Sequence, residues 1–114
     1  MGKDADGVVA SLPGVPLDKM PKGLDFKKKF EAKYGVIQLY APYAYDAVNI
    51  IAAAMQKANS SDPAKYLPMV ASTDYSGVTT QIKFDEKGDL KDGAVSVYKA
   101  QHGDWQLLKT VGPK

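Results

Sequence analysis

The 114-residue sequence has no cysteine and only one histidine, so disulfide scaffolds and cysteine-ligated metal sites are excluded. A transition-metal site would need carboxylates almost alone, and none is expected. The glycine-rich phosphate signatures GxGxxG and GxxxxGK[ST] are missing, so nothing points to a bound nucleotide or any other cofactor. Long apolar runs are missing too. The longest, residues 47–55, is broken by Asn49 and falls short of the roughly 18 residues that cross a bilayer, so the chain reads as soluble. The first residues lack the basic and then apolar stretches of a secretory signal, and the polypeptide as written is expected to stay where it is made. One sign of charge does not dominate. Fifteen basic against thirteen acidic side chains leave a net charge of +2, too small and too dispersed to argue for nucleic acid.

What is present is an ordinary globular composition, 45% apolar and 25% charged, in a length that allows one domain at most with a core of its own. Residues 7–12 form a short apolar run closed by Pro13 and Gly14, with Pro16 and Pro21 following, which predicts a brief buried strand leaving into an extended loop. Residues 24–34 place Phe26 and Phe30 on one helical face and Lys27, Lys28, Lys29 and Lys33 around the rest, with Asp25 in the first turn and Gly35 just past the end. The lysine run is read as a solvated helix face rather than a phosphate or membrane patch, because Asp25 and Glu31 dilute it.

Residues 40–58 predict a second helix. Pro42 suits its first turn, its body is alanine-rich, and Asp46, Asn49, Gln56 and Lys57 are its only polar residues, so it should be buried on more than one side. Asp62 and Pro63 then read as the N-cap and first residue of a third helix, weakened by Pro68. Beyond Gly77 the period becomes alternating. Strands are expected over 78–84, 93–99 and 105–111, joined by turns at 85–89 and 101–104.

Few residues suggest chemistry. His102 lies in a predicted turn with no partner for a triad and is read as a surface turn residue. Asp85, Glu86 and Asp89 resemble a calcium cluster, but their spacing is not that of an EF-hand and a hairpin turn explains them more simply. Catalysis is therefore not expected. Four of the seven tyrosines, Tyr34, Tyr40, Tyr43 and Tyr45, fall within twelve residues. They suit either contact with an aliphatic ligand at a helix start or half-buried packing, and both readings stay open.

Three strings together resemble one known family: DGVVASLP over 6–13, YAPYAYDAVNIIAAAM over 40–55, and GVTTQIKFDEKGD over 77–89 followed by a strand and a Gly-Asp-Trp turn. They are similar to the C-terminal part of the branched-chain amino-acid binding proteins, the type I periplasmic receptors that serve ABC importers. The resemblance implies an α/β fold, here a partial lobe of about three helices followed by a β-rich C-terminal meander. Residues 1–14 would be an inter-lobe strand and hinge crossover, and residues 15–114 the C-terminal portion of the first lobe, ending in strands that return to the hinge. The implied parent is periplasmic, encloses leucine, isoleucine, valine or a related amino acid by hinge closure, and delivers it to an ABC permease. Tyr40 and Tyr43 are the implied ligand contacts.

Members of that family are about three times longer, and the residues that usually grip the ligand's charged ends lie outside this sequence. A zwitterion needs several donors and acceptors before it leaves water, so little affinity is expected of this chain alone. Apolar faces that would otherwise be covered predict self-association, with a homodimer as the expected form. The competing expectation is a self-assembling structural α/β piece with no ligand function.

Overall fold

The computed structural model describes residues 2–38 and 40–112. Within them the chain forms two compact units, one built from residues up to 16 and from 92 onward, the other from residues 17–91. A strand near the N-terminus pairs with one near the C-terminus, which is why the first unit draws on both ends of the sequence.

The 17–91 unit holds all three helices. After a short 3-10 turn over Leu17–Lys19 comes α1, Gly23–Tyr34, which begins at a buried glycine because a Cβ there would run into the Leu17 carbonyl oxygen. It ends at Gly35, whose φ of 79° lies in the left-handed region that glycine enters freely. Phe26, Phe30 and Tyr34 follow one another along one face with ring centroids 5.6 and 5.1 Å apart, and Lys27, Lys28 and Lys29 are exposed as a solvated face should be. Asp25 and Lys29 form an i,i+4 ion pair of 2.7 Å in open solvent, where water screens it and it adds little to stability.

The second helix, α2, runs over Ala41–Ala58 with proline in its first turn, and Asn59 closes it in the left-handed conformation at φ 49°. Its buried positions are Pro42, Asp46, Ile50 and Ala54, a single stripe at intervals of four. Burial is therefore confined to one side. Ala44, Ala47, Val48, Ile51 and Ala52 lie on the other side and are exposed, against the expectation of a helix enclosed more fully. The third helix, α3, spans Pro63–Ala71, and its cap is the expected one: the Asp62 carboxylate accepts the Ala64 N–H at 3.0 Å.

Two short strands complete this unit, β2 over Asp74–Ser76 and β3 over Gln81–Lys83, paired antiparallel with Tyr75 opposite Ile82. The strand expected over 78–84 is thus cut to its second half. Val78 and Thr79 cannot join the ladder because their N–H groups are committed to a side chain of α2. Met20, Ile50, Ala54, Val78 and Ile82 form the unit's apolar core.

The other unit is a three-stranded antiparallel sheet in the order β1-β4-β5, with β1 over Val9–Pro13, β4 over Val95–Gln101 and β5 over Asp104–Val111. The strand-rich region is thus divided between two sheets: β4 pairs with β1 on one side and with β5 on the other, and neither β4 nor β5 pairs with β3. β4 lies at the centre and holds the buried residues, Ser96 and Ala100. The Ser96 hydroxyl donates to the Gly14 carbonyl at 2.8 Å and lies 2.9 Å from the Thr110 hydroxyl, so no polar atom is stranded. β1 is an edge strand of alternating exposed and half-buried residues, not the buried strand that its apolar run predicts. Only one side of it finds a partner strand among the described residues.

Candidate functional site

The tyrosines singled out by the sequence gather around the start of α2. Tyr40 is the N-cap, 62% exposed, and gives no side-chain hydrogen bond to the helix. Tyr43 is half-buried one turn in. Tyr45 turns to α1 instead, with its ring 5.3 Å from that of Phe26, so the stack of Phe30, Phe26 and Tyr45 joins the two helices. Tyr34 ends that aromatic row on α1 and is exposed. Tyr45 therefore packs, while Tyr40 leaves an open ring beside a helix start.

The backbone of this turn has few donors to offer a ligand. The Ala41 N–H goes to the Gln38 carbonyl at 3.1 Å, Pro42 has none, and the Ala44 N–H closes the first turn on the Tyr40 carbonyl at 2.9 Å. An aliphatic group can rest on the ring of Tyr40, but a carboxylate finds little to bind. That combination suits one wall of a pocket.

What holds the wall in place is a residue that the pattern of tyrosines does not announce. Asp46, one turn beyond Pro42 on the buried stripe, is 2% exposed. Its carboxylate accepts the N–H groups of Val78 and Thr79 at 2.8 and 2.9 Å and the Thr79 hydroxyl at 2.7 Å. The loop between β2 and β3 is thereby tied to the first half of α2. Gly77 is part of the same fit, since a Cβ there would lie 2.5 Å from a carboxylate oxygen of Asp46. Lys22 adds a second tie by donating to the Ser76 carbonyl at 2.6 Å. The available signal for Asp46 was a lone acidic residue on the apolar stripe of a helix, which must find donors to be buried at all.

Around this anchor two groups have displaced proton affinities. Burial pushes the Tyr75 hydroxyl above its ordinary value, and the negative charge of Asp46 adds to the effect. Asp74, at the start of β2, is held below the usual carboxylate range by a hydrogen bond from Lys83, 3.0 Å away, and by a second from Gln81 at 2.6 Å. Farther along α2, a shallow groove of about 150 Å³ lies between Ile50, Ala54 and Lys57 on one side and Met69 and Tyr75 on the other.

The remaining sequence candidates are structural. The Asp85 carboxylate accepts the N–H groups of Lys87 and Asp89, both at 2.9 Å, with Gly88 at φ 87°, which makes 85–89 a closed hairpin turn. Among the described residues no group of three or more histidine, cysteine, aspartate or glutamate side chains could hold a metal. His102 sits exposed in the β4–β5 turn at φ 55°, and its N–H donates to the Asp6 carboxylate at 2.9 Å. Asp6 opens the first of the three recognised strings, and its role is to pin the turn that carries His102.

Helices beside a small hairpin and a helix start lined with tyrosine are what the described residues bring together. The chain belongs to the periplasmic binding protein family, whose profile matches residues 1–104. The family is made of solute-binding receptors and not of enzymes. A curated relative is the leucine-, isoleucine-, valine-, threonine- and alanine-binding protein of Pseudomonas aeruginosa, 32% identical over 99 residues, which make up 86% of this chain and 26% of that protein. A leucine-binding protein of Thermotoga maritima has the same fold, with a TM-score of 0.81 at 22% identity over 98% of this chain and 33% of its own. An ABC transporter substrate-binding protein of Desulfitobacterium hafniense, solved in complex with leucine, gives a TM-score of 0.75 at 28% identity over 91% of this chain and 32% of its own. The chain therefore spans about a quarter to a third of the length of these relatives, and its fold is that of a partial lobe.

Proposed function

We propose that this chain is the C-terminal portion of a periplasmic receptor that captures branched-chain amino acids and hands them to an ABC importer. The observation that carries the reading is the start of α2, where Tyr40 presents an open ring and Tyr43 stands one turn behind it, on a scaffold fixed by the Asp46 anchor. Support comes from the Pseudomonas relative, whose binding of leucine, isoleucine and valine fits an aliphatic group resting on tyrosine. In this reading Tyr40 and Tyr43 touch the ligand's side chain, while its charged ends are held by parts of the receptor that these residues do not include. The chain alone then has little affinity.

The test is a nitrogen-proton correlation spectrum of the labelled chain, recorded without and with a mixture of leucine, isoleucine and valine. Dispersed peaks with weak, unsaturated shifts confined to residues 40–51 are the expected result. Saturating shifts elsewhere would overturn the assignment of the tyrosines, and saturating shifts at 40–51 would overturn the low affinity. A second reading, in which the polypeptide assembles with its own copies and serves as a structural piece, is favoured by the apolar side chains that line β5 in the open.

A further inference from the structure

We propose that Asp92 is a site of spontaneous backbone isomerisation, where aspartate converts to isoaspartate in the folded chain while the chain's other Asp-Gly pair is shielded. The step needs no enzyme and no cofactor. The backbone nitrogen of the following residue attacks the side-chain carboxyl carbon, a C–N bond forms, and the nitrogen's proton leaves with a carboxyl oxygen as water. The five-membered succinimide then takes water back at either carbonyl. Opening at the original main-chain carbonyl leaves the chain running through the side-chain carbon, so atoms balance and nothing is oxidised or reduced.

Whether a given aspartate reacts depends on what the two reacting groups are already doing. A nitrogen held in a backbone hydrogen bond cannot swing onto the carboxyl, and a following glycine has no Cβ to obstruct the approach. The sequence has two Asp-Gly pairs, Asp6-Gly7 and Asp92-Gly93. At the first, both groups are committed: the Gly7 N–H donates to the Ala100 carbonyl at 2.9 Å, and the Asp6 carboxylate accepts the His102 N–H at 2.9 Å. At the second, neither is. Among the described residues the Gly93 N–H has no acceptor and the Asp92 carboxylate has no donor, and both residues are exposed.

Backbone conformation adds to the contrast. Asp92 has a φ of 59°, in the left-handed region that a residue with a side chain enters at a cost, and the extra rotatable bond of the isoaspartyl chain relieves that restriction. Left-handed geometry alone does not select the site. Asn59 has a φ of 49°, but the Ser60 N–H that would attack its side chain donates to the Met55 carbonyl at 3.1 Å. The segment around Asp92 is also short. The Lys91 N–H donates to the Lys83 carbonyl at 2.8 Å and the Ala94 carbonyl accepts the Gly14 N–H at 2.7 Å, so one added main-chain carbon has to be absorbed by residues 92 and 93.

The test ages the unaltered chain at neutral pH, folded in buffer and, in parallel, unfolded in guanidinium. Enzymatic methylation of isoaspartyl carboxyls with a labelled methyl donor measures the product. Tryptic mapping, with fragmentation that tells isoaspartate from aspartate, assigns it to the peptide that carries Asp92 or to the one that carries Asp6. In the folded chain Asp92 should convert at least about tenfold faster than Asp6, because the hydrogen bonds at Gly7 and Asp6 must open before that pair can react. In guanidinium the two rates should draw together, since both pairs have glycine next and no fold to hold them. Equal rates in the folded chain, or product at Asp6 ahead of Asp92, would overturn the proposal. So would an Asp92 rate in the folded chain far below its own rate in guanidinium. Asp92→Asn gives a second readout, because asparagine also tolerates the left-handed region and the same attack then expels ammonia. The expected result is a deamidation mass gain on that peptide in the folded variant, and an amide that survives folded but is lost in guanidinium would refute the site.

Discussion

A single carboxylate decides how the helical unit is put together. Asp46 is buried, and burial of a charge is tolerable only when its oxygens receive donors; here they receive three. Replacing it by asparagine keeps the shape, removes the charge and turns one acceptor into a donor that faces a backbone N–H. We expect Asp46→Asn to lower unfolding free energy by about 2–3 kcal/mol, read as a fall in the urea midpoint, with faster amide exchange at Val78 and Thr79. Unchanged exchange at those two amides would refute the anchoring role. Tyr75 makes a second prediction at this scale. Its hydroxyl holds its proton more tightly folded than unfolded, chiefly because it is buried, so its contribution to stability is whole below the unfolded value near 10 and is lost as pH rises through the higher folded one. The chain should therefore lose stability above about pH 10, and Tyr75→Phe should remove part of that slope. Equal slopes in the two proteins would show that the ring titrates as it does in the unfolded chain.

At the level of elements, the helices were legible because each carries its own signals. The Phe26 and Phe30 spacing, Pro42, the alanine-rich body of α2, and Asp62 before Pro63 fix three helices to within a residue or so of where they lie. The strands were legible only where pairing is local. The β4–β5 hairpin follows from its turn, whereas the loss of Val78 and Thr79 from the strand over 78–84 depends on a carboxylate 32 residues earlier in the chain. The joining of β1 to β4 is likewise a long-range choice that no local period encodes. Of the candidate site, the tyrosines could be found by their density, but their division into Tyr45, which packs on Phe26, and Tyr40, which stays open, depends on where α1 lies. The cap of α3 allows a quantitative check. Asp62→Ala removes the acceptor of the Ala64 N–H and should cost about 1 kcal/mol, visible as a fall of several degrees in Tm, given how few buried contacts hold this nine-residue helix. A loss below about 0.3 kcal/mol would mean that α3 is held by packing and not by its cap.

On the scale of the whole molecule the governing quantity is surface that stays wet. An unfolded chain of 12.3 kDa exposes about 17,800 Å² and an ordinary folded one about 6,100 Å², so folding normally removes roughly 11,700 Å² from water. With 8281 Å² still exposed, this chain removes about 9,500 Å² as a monomer, close to a fifth less. Much of what stays exposed is apolar: Val48 and Ile51 on α2, and Trp105, Leu107, Leu108 and Val111 on β5. Apolar exposure sets the heat capacity of unfolding, which for 114 residues would ordinarily be about 1.4–1.7 kcal/mol/K. Calorimetry on dilute chain should therefore give about 1.1–1.4 kcal/mol/K, with a denaturant slope reduced in the same proportion. A value already in that range at the lowest measurable concentration would show that the apolar surfaces of α2 and β5 are covered within the single chain.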